Sequence, residues 1–196
     1  MYNNNFLLSL LILVIMISFY LCILAIQNKI DCWTNSSRNY VYGTKEHHEI
    51  IPNLYIGNID SAKNQSFIKN KKIKVIINCT NSIPNYFQFN TDIEYHRLAV
   101  DDSLLNEDIE IMSKALPQYV QIIDDALLQK KPVLVHCYAG RQRSACLIAA
   151  YLIYKYNYSI EQAYKYIIFK RKEAFYYGKS YNFHNSLLNY IQLIKK

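Results

Sequence analysis

The longest apolar stretch lies at the start of the chain. Residues 6–26 carry no charge, and only Ser9, Ser18 and Tyr20 bring hydroxyls. A run of that length crosses a hydrocarbon layer of about 30 Å as a helix, and it has no polar stripe of the kind a surface helix shows. Residues 1–5 are an uncharged, Asn-rich tail, and Lys29, Arg38 and Lys45 follow the run. The positive-inside rule therefore predicts a single-pass anchor with the C-terminal part in the cytosol. A cleavable signal peptide is the rival reading, but the usual basic n-region is missing and the apolar core is too long. Residues 27–45, rich in Asn, Ser, Thr and Tyr without periodicity, predict a linker, and residues 46–196 a folded domain.

Within that domain the period of the pattern changes repeatedly. Glu49–Ile56 has short apolar pieces around Pro52 and predicts a first edge strand. Asp60–Asn70 has helical spacing. Lys74–Cys79 and Pro132–Cys137 read as buried strands, and Ile93–Val100 as another. Asn106–Gln129 is apolar at helical intervals, with a kink expected at Pro117. Ser144–Tyr156, Ser159–Arg171 and Asn182–Lys195 predict three more helices, and Ser159 with Gln162 offers a capping box. Strands alternating with helices predict an α/β fold with a mixed central sheet flanked by helices.

Charge adds a direction. The formal net charge is +7 and the pI about 9.0. This favours anionic partners without choosing among phosphorylated proteins, acidic lipids and nucleic acid. The five cysteines are scattered, with no C-x-x-C pair and no Cys/His cluster at metal-ligand spacing, so no metal site is expected and a reducing compartment fits. His47-His48 reads as a solvated loop pair, and Asp124-Asp125 as an exposed helix face.

The chemistry concentrates in Val133–Ser144. A β-branched apolar run ends in His136-Cys137, and Gly140, Arg143 and Ser144 lead into a helical segment. Backbone N–H groups at such a strand–loop–helix junction converge on one point, and the helix dipole adds positive potential. A phosphate dianion fits that nest, and a thiolate is stabilised in it. Arg143 can offer a bidentate fork to two phosphoryl oxygens.

The segment resembles the signature loop of the cysteine-dependent protein tyrosine phosphatase superfamily, His-Cys-x-x-Gly-x-x-Arg-Ser/Thr, with every fixed position filled. The resemblance extends from Glu46 to about Lys195 and is to the compact dual-specificity subgroup. Ile51–Asn58 matches that group's opening, Ala62 its small helix residue, and Ala150-Tyr151-Leu152 and Ala163 its later helices. Phe183, Leu187 and Tyr190 match the closing helix, where Ser186 replaces a Gln. The Trp-Pro-Asp acid loop of larger tyrosine-specific enzymes is absent; the one Trp is Trp33, in the linker.

The resemblance implies a shallow pocket and a set of roles. Cys137 is the nucleophile. Arg143 and the loop Tyr138, Ala139, Gly140, Arg141 and Gln142 bind phosphate. Ser144 hydrogen-bonds the cysteine sulfur, and His136 orders the loop. The general acid is an aspartate after the strand preceding the long helix: Asp102 aligns best, with Asp101 as the alternative. No metal or organic cofactor is implied. Cys79 is similar in position to a cysteine of the tensin-homologue and regenerating-liver phosphatases that pairs with the nucleophile on oxidation; a small buried apolar residue is the alternative reading.

These likenesses imply a protein phosphatase acting on phosphotyrosine, with phosphoserine and phosphothreonine as further candidates, through a phosphocysteine intermediate, and the apolar run 6–26 predicts that it is membrane-anchored. Its partners would be phosphorylated proteins, and the membrane through residues 6–26. A phospholipid phosphatase is the runner-up, because Ala139–Ala145 and Ala149–Ile153 resemble the mitochondrial phosphatidylglycerophosphate phosphatases. An RNA 5′-phosphatase is disfavoured by Tyr138-Ala139, where that branch has Thr-His, so nucleic acid is not the expected partner. An inactive phosphate-binding module is disfavoured by the intact Cys, Arg and Asp set.

Overall fold

The computed structural model describes residues 16–20, 23, 45–103, 105–175 and 183–194. The chain divides into two units, Met1–Thr44 and Lys45–Lys196. In the first, residues 16–20 and 23 are helical, and Met16, Ile17, Phe19, Tyr20 and Ile23 expose their side chains. The rest of the 6–26 span, the 27–45 linker except Lys45, and Trp33 fall outside the described residues. Among the described residues no helix is long and apolar enough to cross a membrane.

The second unit opens with a hairpin, β1 (His47–Ile51) and β2 (Leu54–Gly57), where a single edge strand was expected. Pro52 and Asn53 make the turn: Pro presets its own φ, and Asn53 takes the left-handed region at φ 67°, which Asn tolerates better than most residues. The expected helix over Asp60–Asn70 is also two elements, α1 (Ile59–Lys63) and α2 (Gln65–Asn70). Asn64 causes the break. Its extended backbone ends α1, and its side chain accepts the Phe67 N–H at 2.9 Å to start α2.

Strands β3 (Val75–Asn78), β4 (Glu94–Arg97) and β5 (Val133–His136) complete a five-stranded sheet of order β1-β2-β5-β3-β4. All neighbours are parallel except β1 with β2. The β2-to-β3 connection runs one way across the sheet and the β4-to-β5 connection runs back. Crossovers of one hand then lie on opposite faces. On one face Tyr55, Ile76 and Leu134 pack with Phe67 and Ile68 of α2. On the other, Leu54, Ile56, Val75, Ile77, Val133 and Val135 meet the remaining helices. The period-2 alternation of three buried strands thus feeds two cores.

The remaining helices are α3 (Asn106–Leu128), α4 (Arg143–Tyr156), α5 (Ile160–Lys170) and α6 (His184–Ile194). Helix α3 runs through Pro117 as one element. Every residue of α4 from Arg143 to Ile153 is buried, as befits a helix apolar on all sides. The capping box of α5 is present: Ser159 N–H donates to Gln162 Oε1 at 2.8 Å, and Gln162 N–H to Ser159 Oγ at 3.2 Å. Ser186, the departure from the expected closing helix, is buried and donates to the Ile109 carbonyl at 2.9 Å, tying α6 to α3.

Two polar readings need correction. Asp124 is buried, not exposed. It pairs with Lys155 Nζ at 2.7 Å and accepts from Tyr151 OH at 3.3 Å, because the central helix α4 packs against that side of α3. His47 and His48 belong to β1 and are half-buried. His47 stacks on Phe67 with ring centroids 3.6 Å apart, and His48 Nδ1 lies 2.9 Å from Arg171 Nη1.

Candidate active site

Gly57, His136, Asn78 and Arg97 stand side by side at the carboxyl ends of the four parallel strands. The loop after His136 leaves the centre of the sheet and enters α4. That is where open parallel sheets collect ligand-binding loops. Gly140 makes the turn at φ 66°; a Cβ there would stand 2.6 Å from the Gly57 carbonyl oxygen, so the position excludes side chains.

Cys137 is buried at the loop's base. Its sulfur lies 3.3 Å from Ser144 Oγ and accepts the Gly140 N–H at 3.2 Å. Burial by itself would push the thiol up. The Arg143 charge, the Ser144 hydroxyl and the N–H groups of Ser144 and Arg141 outweigh it and hold the thiol below its ordinary value. The contrast with the other buried cysteines is sharp. Burial, with Cys137 nearby, pushes Cys79 well up, and burial alone pushes Cys146 up. Of the described thiols, only the one in the nest is favoured as thiolate.

Arg143 is buried and half engaged. Nη1 donates to the Val100 carbonyl at 3.2 Å, Nη2 lies 3.7 Å from Asp102 Oδ2, and Nε has no hydrogen-bond partner. Gln142 Nε2 is a second buried loop donor without a partner. Buried donors are costly unless something accepts from them, and an oxyanion in the loop would do so. Tyr138 is exposed at the rim, and its carbonyl accepts the Ile59 N–H at 3.0 Å.

Asp102 is thus brought to Arg143, whereas Asp101 is exposed and its backbone N–H donates to Asp108 Oδ1 at 3.1 Å. His136 is buried, and burial, reinforced by Arg97 and Arg143, pushes its pKa down to about 4; a hydrogen bond with the Cys137 backbone opposes this in part. Near neutral pH it is an uncharged ring. Cys79 follows Asn78, the β3 partner of His136, and its N–H donates to the His136 carbonyl at 2.8 Å. It therefore stands level with Cys137 on the adjacent strand.

Two supporting residues were not singled out from the sequence. Arg171 is fully buried. Nε donates to the Gly140 carbonyl at 2.8 Å, Nη2 to the Ala139 carbonyl at 3.2 Å, and Nη1 to the Lys45 carbonyl at 3.0 Å. It clamps the outside of the loop whose inside faces Cys137. A signal existed: Arg171 continues the apolar stripe Ile160, Ala163, Tyr164, Ile167 at helical spacing, an odd place for a charge. Asp108, in the first turn of α3, accepts from the Asp101 N–H and the Ser103 hydroxyl and so braces the loop carrying Asp102.

Comparison with known proteins agrees with this geometry. The family described as "Dual specificity phosphatase, catalytic domain" matches residues 54–192, and the chain belongs to it. Human dual specificity protein phosphatase 9 is 34% identical over 142 residues, covering 72% of this chain and 35% of that protein. The chain therefore corresponds to about a third of the length of that relative. Among solved structures, a mouse putative dual specificity phosphatase complexed with zinc tungstate aligns with TM-score 0.65 at 20% identity, over 79% of this chain and 91% of that one. PTPMT1 in complex with PI(5)P aligns with TM-score 0.57 at 22% identity, over 76% and 94%. Both share the fold.

Proposed function

We propose that the chain is a membrane-anchored protein phosphatase that hydrolyses phosphotyrosine, and phosphoserine or phosphothreonine where they fit, through a phosphocysteine intermediate. The observation that carries the reading is one buried nest holding a thiol favoured as thiolate and an arginine with an unpartnered buried Nε. Cys137 Sγ attacks phosphorus in line, forming the S–P bond as the P–O bond to the leaving group breaks. Asp102 gives its proton to that leaving oxygen. Arg143 and the loop N–H groups hold the equatorial oxygens, whose charge must stay stabilised through the transition state. The Asp102 carboxylate then takes a proton from water as its oxygen attacks phosphorus, and Cys137 departs as thiolate, stabilised by the Ser144 hydroxyl.

In this reading residues 6–26 form the anchor, 27–45 a linker and 46–196 the cytosolic catalytic domain. The uncharged run and the exposed apolar helical residues between Met16 and Ile23 support the anchor. Cys79, level with the nucleophile, would capture oxidised Cys137 as a disulfide, protecting it from further oxidation. A phospholipid phosphatase is the second reading, favoured by the same apolar run and by the fold shared with PTPMT1, whose structure holds a lipid phosphate.

The test is turnover by the full chain in detergent on phosphopeptides, phospholipids and RNA 5′-ends. Phosphopeptide hydrolysis with a trapped phosphate on Cys137 is expected, and Cys137→Ser should bind substrate without turning it over. Wild-type rates in Cys137→Ser would refute the mechanism, and preference for lipid would select the second reading.

A further inference from the structure

The end of the sheet opposite the candidate active site carries a second anion-shaped feature. A pocket of about 520 Å³ opens where the turns before β3 and β5 meet the β1–β2 hairpin. Lys71, Lys72, Lys74, Lys130 and Lys131 line it, with Tyr55 on its wall and no carboxylate among the lining residues. Among the described residues, none of these five lysines makes an ion pair; Lys71 Nζ lies 5.9 Å from the Tyr55 ring centroid. The nearby carboxylate of Glu49 is engaged by the Asn53 N–H at 2.9 Å.

The backbone that presents the lysines is closely held. Helices α2 and α3 end in the same way. Ile73 N–H donates to the Ile68 carbonyl and Lys72 N–H to Lys69, while Lys131 N–H donates to Ala126 and Lys130 N–H to Leu127. In both caps the left-handed position, usually Gly, is a lysine: Lys72 at φ 52° and Lys130 at φ 56°. Lys74 and Val75 both donate to the Pro132 carbonyl, locking the two turns together. Lysines do complement helix C-termini. That role needs one cation per helix, not five lysines lining one concavity, and it does not explain a conformation that disfavours side chains.

We propose that this pocket binds a compact anion carrying two or more clustered phosphates. Five lysines from two adjoining turns line the pocket, more than one phosphate can engage; Lys131 also borders a neighbouring pocket with Glu94 and Asp125, which leaves four that do not. The small concave volume suits a clustered polyphosphate better than an extended acidic chain. The same chemistry is offered by a free inositol phosphate and by a phosphorylated inositol lipid headgroup.

The experiment is calorimetric titration of the full chain in detergent, at physiological ionic strength, with inositol trisphosphate and with inorganic phosphate. The trisphosphate should bind at least about tenfold more tightly, and Lys71→Gln/Lys131→Gln should weaken it by about tenfold. Lys71→Arg/Lys131→Arg, which keeps the charge, should retain binding and control for folding. Lys114→Gln/Lys165→Gln, the same charge loss elsewhere, should change it less than about twofold. Arg143→Met, which removes binding in the candidate active site, should leave the lysine-dependent binding unaltered. Phosphatidylcholine vesicles carrying a phosphorylated inositol lipid form the second arm. A lysine-dependent gain in binding there assigns the headgroup as the source, and its absence assigns the soluble anion. Absence of trisphosphate binding, equal loss in the two Gln double variants, or loss confined to Arg143→Met would each overturn the proposal.

Discussion

Ser144→Ala isolates one part of the electrostatics that prepares Cys137. The hydroxyl lies 3.3 Å from the sulfur, and both groups are buried, so no water stands ready to replace the lost contact. A hydrogen bond to a charged group is worth about 1.5–3 kcal/mol, and 1.36 kcal/mol corresponds to one pKa unit. The thiol pKa should therefore rise by about one to two units. The Arg143 charge stabilises the thiolate more than the hydroxyl does, so Arg143→Met should raise it further. The assay is the pH dependence of iodoacetamide alkylation, resolved by mass spectrometry so that Cys137 is followed by itself. Burial pushes Cys79 and Cys146 up, so neither should react across the same range. The acidic limb of kcat/KM should move up in parallel. An alkylation midpoint that is the same in Ser144→Ala and wild type would refute the assignment of the hydroxyl to thiolate stabilisation.

Three further outcomes are expected. Asp102→Asn should slow alkyl and tyrosyl phosphates far more than an aryl phosphate whose leaving group is already a stable anion, while Asp101→Asn should do little; the reverse pattern in steady-state kinetics would exchange the two roles. His136 has a folded pKa of about 4, depressed from 6.5, so it contributes stability that is present above pH 6.5 and lost as pH falls toward 4, on the order of 3 kcal/mol. Urea unfolding at both ends of that window should show the loss, and His136→Gln should flatten it; an unchanged pH dependence in that variant would place the acid sensitivity elsewhere. Arg171→Met strands the Ala139 and Gly140 carbonyls, so it should cost about 3–5 kcal/mol in unfolding and lower kcat, with Arg171→Lys recovering only part; a variant of wild-type stability and rate would show that the loop holds itself.

Local order was legible along the chain where a segment's fate depends on its own residues. The apolar triplets Val75–Ile77 of β3 and Val133–Val135 of β5 read as buried strands, and Ser159 with Gln162 caps α5 using atoms three residues apart. The nest was legible for the same reason: Cys137, Gly140, Arg143 and Ser144 are neighbours in sequence, and the loop's turn and helix start bring them near one another before distant residues such as Arg171 fix the loop. The boundaries that failed were set by single polar residues. Asn64 splits a helix, and Pro52-Asn53 folds a strand back on itself, choices that periodicity does not register.

What tertiary structure alone decided are the contacts between distant segments. Whether Asp101 or Asp102 faces Arg143 depends on how Asp108 pins their loop, which lies about forty residues before Arg143 in the chain. Asp124 looks like a solvated helix charge until α4 is laid against it and Lys155 supplies its partner. Arg171 grips Ala139 and Gly140 from thirty residues downstream, and Cys79 comes level with Cys137 only because β3 lies beside β5 in the sheet. A buried charge is tolerated only where its partners converge, and that convergence is a property of packing, not of spacing along the chain.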